Sequence, residues 1–172
     1  MSGVIVEEAM KTRTQHSNIG GFSYIEIIFT VAILAILATA AVPYSELMVI
    51  RKKEAELRHS LREIRTAIDA YKKATDDGQI AKLLGETGYP HSLEELVMGV
   101  ENIKDPQKRK IYFLRRLPRD PMYPEQSESP ALTWGKRSYD SEPEFPQPGV
   151  DVFDIYSLSQ QKGLNGVSYS QW

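Results

Sequence analysis

From Ile27 to Val42 the chain carries no charged side chain: IIFTVAILAILATAAV. Extended to Phe22 and Pro43, the run has 22 residues. As a helix it would span about 33 Å, enough for a bilayer core of about 30 Å. One carboxylate, Glu26, stands near its N-terminal end. An acidic group in such a run is costly unless paired, so it marks a function rather than packing.

The helical pattern continues past the run. Leu57, Leu61, Ile64, Ile68 and Tyr71 recur at spacings of four, three, four and three, which is one apolar stripe on a helix. Leu47 and Ile50 extend it backwards. The other face carries Arg51, Lys52, Lys53, Glu56, Arg58, Arg62, Glu63, Arg65, Lys72 and Lys73. Positions 44–77 hold eight basic and seven acidic residues, the composition of a solvated face. Residues 22 to about 74 are therefore expected to form one helix of roughly 80 Å. Its first half (22–43) is apolar all round and its second half (44–77) amphipathic. Pro43 should kink rather than end it. Asp76-Asp77-Gly78 should stop it, with Gly78 as the terminator.

Before the run, residues 1–21 form a polar leader with Glu7, Glu8, Lys11, Arg13 and His16, the pattern of a targeting segment. After the helix, residues 78–172 should fold as a small head. Ser92-Leu93-Glu94-Glu95 is a capping-box pattern that would open a short helix over Leu93 to Val97, closed by Gly99. Lys110 to Arg115 is a short apolar element, strand or helix. Six prolines between 121 and 148 predict loop, interrupted by a strand around Lys136 to Tyr139. Val150 to Leu158 is the strongest strand signal. Asn165-Gly166 suits a tight hairpin, with Val167 to Trp172 as its return strand.

Composition removes several chemistries. The 172 residues include no cysteine, which excludes a disulfide framework, thiolate zinc ligation and thiol catalysis. A net charge of −2 gives no field that would draw the whole molecule to nucleic acid. The mean hydropathy of −0.37 averages unlike parts: a polar leader, an apolar half-helix and a polar head. No HExxH, GxSxG or P-loop pattern occurs. His16 lies in the leader, His59 on the charged helix face and His91 in a Pro-His-Ser loop. No catalytic constellation follows, and Asp154 with Ser157 suits strand and turn chemistry. The chain is expected not to be an enzyme.

The junction Gly20-Gly21-Phe22-Ser23-Tyr24-Ile25-Glu26, followed by the apolar run, resembles the class III signal of type IV pilins and type II secretion pseudopilins. In that family the leader ends in Gly, the mature chain begins with Phe, and a Glu is its fifth residue. Pro43 also falls where the family commonly has a proline. The resemblance implies cleavage between Gly21 and Phe22 by a prepilin peptidase, N-methylation of Phe22, and an assembly role for Glu26. The carboxylate would neutralise the free amine of Phe22 on a neighbouring subunit. It further implies a pilin-like α+β fold, a long N-terminal helix packed on a small antiparallel sheet. The implied location is the inner membrane, spanned once, with the head in the periplasm, and then a pseudopilus. Implied partners are identical or related pseudopilin subunits, the prepilin peptidase and an inner-membrane assembly platform.

Tyr89-Pro90, Leu117-Pro118-Arg119-Asp120-Pro121, Trp134-Gly135, Ser138-Tyr139 and Asp154-Ile155-Tyr156-Ser157 resemble the G-type, major pseudopilins. The lack of cysteine also suits a pseudopilin better than a disulfide-closed pilin. The chain departs from the pattern in an insertion, Met122 to Thr133, in a long leader, and in its C-terminal loop. G-type pseudopilins commonly bind calcium in that loop, whereas nothing after Asp154 is acidic here and Lys162 opposes a cation. No cofactor is expected, and calcium is disfavoured. Other readings are a minor pilin of a type IV pilus, a DNA-binding uptake pilin, and a Sec-exported soluble domain. For the last, Lys11 and Arg13 would be the basic region and Ala38-Thr39-Ala40 the cleavage site, but Glu26 and the in-phase helix beyond Ala40 argue against it. For DNA, Lys104 to Arg119 holds seven Lys/Arg and one acid with Tyr112 and Phe113 interleaved. The alternative there is that Ile111, Phe113 and Leu114 or Leu117 pack inward and the charges face solvent or neighbouring subunits, and on that reading no nucleic-acid partner is expected.

Overall fold

The computed structural model describes residues 21–125 and 128–172. Residues 1–20 of the leader lie outside the described residues. The chain divides into two units, one up to Tyr44 and one from Ser45 to Trp172. Helix α1, Tyr24–Asp76, contributes to both and runs through Pro43 without ending there. The side chain of Pro43 lies outside the described residues.

Among the described residues of the first unit no apolar side chain is buried, nor is any of the most apolar 18-residue stretch of α1. The hydroxyls of Thr30 and Thr39 donate back to the Ile27 and Ile36 carbonyls at 2.8 and 2.7 Å. Those bonds satisfy the only side-chain hydroxyls between Ile27 and Val42 without a solvent partner.

The second unit has a core. Leu57, Leu61, Ile64, Ile68 and Tyr71 of α1 are all buried, as their spacing predicts. Leu47 and Ile50 are exposed, so the buried stripe begins later than the sequence pattern suggests. The end of α1 is a Schellman motif. Gly78, at φ +67°, donates to the Thr75 carbonyl, and Gln79 donates to the Ala74 carbonyl, both at 2.9 Å. The Lys104 ammonium donates to the Asp77 carbonyl at 2.6 Å, placing a cation at the negative end of the helix.

Helix α2 is shorter than expected, Glu95–Met98, and Ser92 does not cap it. Only the carboxylate half of the capping box forms, displaced by one residue: Glu95 accepts from the His91 N–H at 3.2 Å. Gly99 closes the turn at φ +73°, as expected. Strand β1, Val100–Glu101, pairs antiparallel with β2, Lys110–Ile111, so only the first two residues of the expected Lys110 to Arg115 element are strand and the rest is irregular. Strand β3, Trp134–Arg137, pairs antiparallel with β4, Asp154–Ser157. The strands form two separate pairs rather than one sheet. Between β2 and β3 lie Pro118, Pro121, Pro124 and Pro130, none of which can donate to a ladder. The layout is thus a long helix with small antiparallel strand pairs. The Asn165-Gly166 turn forms, with Gly166 at φ +78° and a single bridge between Lys162 and Ser168. Its return segment then coils into a 3-10 turn, Tyr169–Gln171, instead of a strand. Tyr169 is buried against Trp172, which the coil allows and a straight strand would not.

Candidate assembly site

Gly21, Phe22 and Ser23 precede α1 in non-helical backbone, so the Gly21–Phe22 peptide bond is not locked in helical hydrogen bonds. Phe22 is 77% exposed. Glu26 lies in the first turn of α1, exposed, where the positive end of the helix dipole favours its charge. Phe22 and Glu26 therefore stand four positions apart at the head of an apolar segment that is exposed among the described residues.

The motifs of the head meet in two buried polar clusters. Asp120 is 1% exposed. It accepts from the Ser157 hydroxyl at 2.6 Å and from the Met122 N–H at 2.8 Å, and its own N–H donates to the Thr133 hydroxyl at 3.1 Å. Ser157 thus serves Asp120, not Asp154. Trp134 Nε1 donates to the Pro118 carbonyl at 2.9 Å. Gly135 opposes Tyr156, and a Cβ there would stand 2.3 Å from the Tyr156 ring, so the ring needs the glycine. The second cluster centres on Asp151, which accepts from the Ser138 hydroxyl at 2.6 Å, the Tyr139 N–H at 3.0 Å and the Thr87 hydroxyl. Tyr139, whose N–H serves Asp151, packs with Tyr89 and Phe153 in a ring cluster with centroids 5.0 to 5.8 Å apart.

These two carboxylates titrate in opposite directions. Burial pushes Asp120 up, against the Ser157 hydroxyl, the Met122 N–H and the Arg119 charge. Burial would push Asp151 up as well, but the hydroxyls of Ser138 and Thr87, the Tyr139 N–H and the His91 charge outweigh it and hold it below its ordinary value. Stability from Asp151 is therefore present above the unfolded carboxylate value of about 4 and lost as pH falls through the lower folded value. For Asp120 the sign reverses: stability falls as pH rises from about 4 through its raised folded value. All three donors to Asp151 point at oxygen, so Asp151→Asn is expected to cost about 1–3 kcal/mol at neutral pH and to flatten the acid limb. Asp120→Asn should gain on the parent chain as pH rises through that window. Denaturant unfolding between pH 3 and 7 measures both, and an unchanged acid limb in Asp151→Asn would contradict the assignment.

Two side chains that the sequence pattern put on the solvated face, or passed over, tie α1 to the head. Arg65 Nε donates to the Asp154 carboxylate at 2.8 Å, and its NH2 group to the Ile155 carbonyl at 3.0 Å and the Trp172 main-chain oxygen at 2.9 Å. Glu54, 6% exposed, accepts from the Leu164 N–H at 2.7 Å and the Tyr169 hydroxyl at 3.2 Å. The C-terminal loop is thus held by a carboxylate on the helix. Among the described residues no group of three or more His, Asp or Glu is placed to hold a metal. In the basic segment Leu114 is buried, Phe113 and Leu117 pack against the core, and Arg115 and Arg116 are exposed. No family model, curated protein or solved structure matches this chain.

Proposed function

We propose that this chain is a structural subunit, a pseudopilin of a type II secretion-like system, that polymerises through the apolar half of α1 into a short periplasmic fibre. A prepilin peptidase removes the leader between Gly21 and Phe22 and methylates the new amine. Before assembly the apolar segment rests in the inner membrane with the head in the periplasm. The observation that carries this reading is the uncovered apolar helix with Glu26 in its first turn. An exposed apolar surface of that size needs lipid or other subunits to cover it. Stacked helices supply both that cover and, at each Glu26, the amine of a neighbouring Phe22. The work of the chain is packing rather than catalysis.

The mature N-terminus tests the reading directly. Sequencing of the membrane-fraction protein, with its intact mass, should give N-methylated Phe22. A chain beginning at Ala41 would mean signal-peptide cleavage and overturn the proposal.

A further inference from the structure

The head carries two exposed features of opposite charge on different faces. The first is a groove of about 750 Å³ between α1 and residues 113–116, lined by Arg62, Arg115 and Arg116 together with the apolar Ala67, Ala70 and Phe113. Its one acidic residue, Glu63, lies 3.8 Å from His59. The second is the loop 138–149, which has three carboxylates, Asp140, Glu142 and Glu144, and no Lys or Arg. All three are exposed, and Phe145 among them is 71% exposed. No ion pair engages these carboxylates among the described residues.

The loop is built rather than slack. The Ser138 N–H donates to the Gln147 carbonyl at 3.0 Å, closing it. The Ser141 hydroxyl accepts from the Gln147 N–H at 2.8 Å and donates to the Phe145 carbonyl at 3.3 Å. Pro143, Pro146 and Pro148 restrict what remains. A preformed loop loses little entropy on docking. An aromatic flanked by carboxylates matches a groove in which arginines surround apolar side chains.

One copy cannot satisfy itself. With 3.6 residues per turn, Glu63, Ala67 and Ala70 of the groove lie on one flank of the buried stripe and Arg65 on the other, while Arg62 reaches the groove from behind the helix. The groove is on the Glu63 side, whereas Pro143 and Pro146 border the same hollow as Arg65 and Asp154. Two unlike patches on different faces make a heterologous contact, which propagates copy to copy into a helical array.

We propose that the loop 138–149 of one copy docks, Phe145 first, into the arginine-lined groove of a second copy. This contact rests on the polymerisation reading and assigns the head surfaces that polymerisation uses. The cysteine-free chain makes it testable by crosslinking. Full-length Thr66→Cys and Gln147→Cys chains, which keep Phe145, are co-expressed in the native membrane and oxidised, with Ile28→Cys as a separate reporter of helix association. A mixed Thr66–Gln147 dimer is expected, with neither variant crosslinking alone. Glu142→Lys with Glu144→Lys should cut that product at least about tenfold, as should Arg115→Glu with Arg116→Glu, and the two reversals combined should restore it. Misfolding would not be rescued that way. Crosslinking at Ile28 without the mixed dimer, or Thr66 pairing with itself, overturns this contact and leaves polymerisation standing. Loss of crosslinks at every site overturns both. If the groove reversals abolish retention of duplex DNA and leave crosslinking unchanged, the groove belongs to nucleic acid and the proposal fails.

Discussion

Glu26→Ala is expected to abolish fibre formation while the chain still reaches and spans the membrane. The carboxylate lies in the first turn of α1 at the head of an uncharged run. Removing a charge from the end of an apolar helix makes insertion easier, not harder, because a carboxylate is disfavoured in a span, by about 3 kcal/mol at its centre and by less toward its ends. Assembly is different. In a helix bundle with no water, an unpaired amine at Phe22 is an uncompensated charge, and breaking such a pair costs about 3–5 kcal/mol. Repeated at each subunit, that loss should leave no detectable fibres. Membrane fractionation and electron microscopy of sheared fibres separate the two steps, and normal fibres from the alanine chain would refute the pairing. Glu26→Asp, which keeps the charge but shortens the reach, should fall between.

Ile64→Ala should lower the stability of the head by about 2–5 kcal/mol, against less than about 1 kcal/mol for Arg62→Ala two residues earlier. Ile64 is fully buried in the middle of the stripe, with Leu57, Leu61 and Ile68 as its helix neighbours. Cutting it to alanine removes apolar contact and leaves a cavity that a close-packed core fills only in part. The Arg62 side chain is exposed, and its one hydrogen bond is to the Arg58 carbonyl at 3.3 Å. Denaturant unfolding of the full chain in detergent measures both. Equal effects would mean that the stripe does not form the core of the head in solution.

The helix was legible because its signals are local. A stripe at spacings of three and four, and a Gly after Asp-Asp, need no knowledge of the rest of the chain. α1 accordingly ends within two residues of the expected position. Gly78, Gly99 and Gly166 were likewise readable, because a left-handed backbone favours glycine. What stayed hidden is long-range. Arg65 belongs to a face of charged residues, and only the fold brings Asp154, Ile155 and Trp172 to it. Glu54 looks like one more solvated carboxylate until the loop 161–169 closes over it. One signal was available: Glu54 stands three residues before Leu57, in phase with the apolar stripe. The strands were found in kind but not in extent, since prolines and polar clusters cut short what alternation alone would prolong. The junction at Phe22 and Glu26 was legible as a pattern, and the fold adds that the described side chains of the apolar run behind it are exposed.

The ties from Glu54 and Arg65 also set a timetable. Each joins the helix to residues 107 to 115 positions later in the chain, apart from Asp154 and Ile155 at 89 and 90. At about 5–20 residues per second, α1 waits roughly 5–20 s for those partners to be made. Through that interval the stripe from Leu57 to Tyr71 is only partly covered. A nascent head therefore keeps apolar surface exposed for as long as its last residues are still to be made.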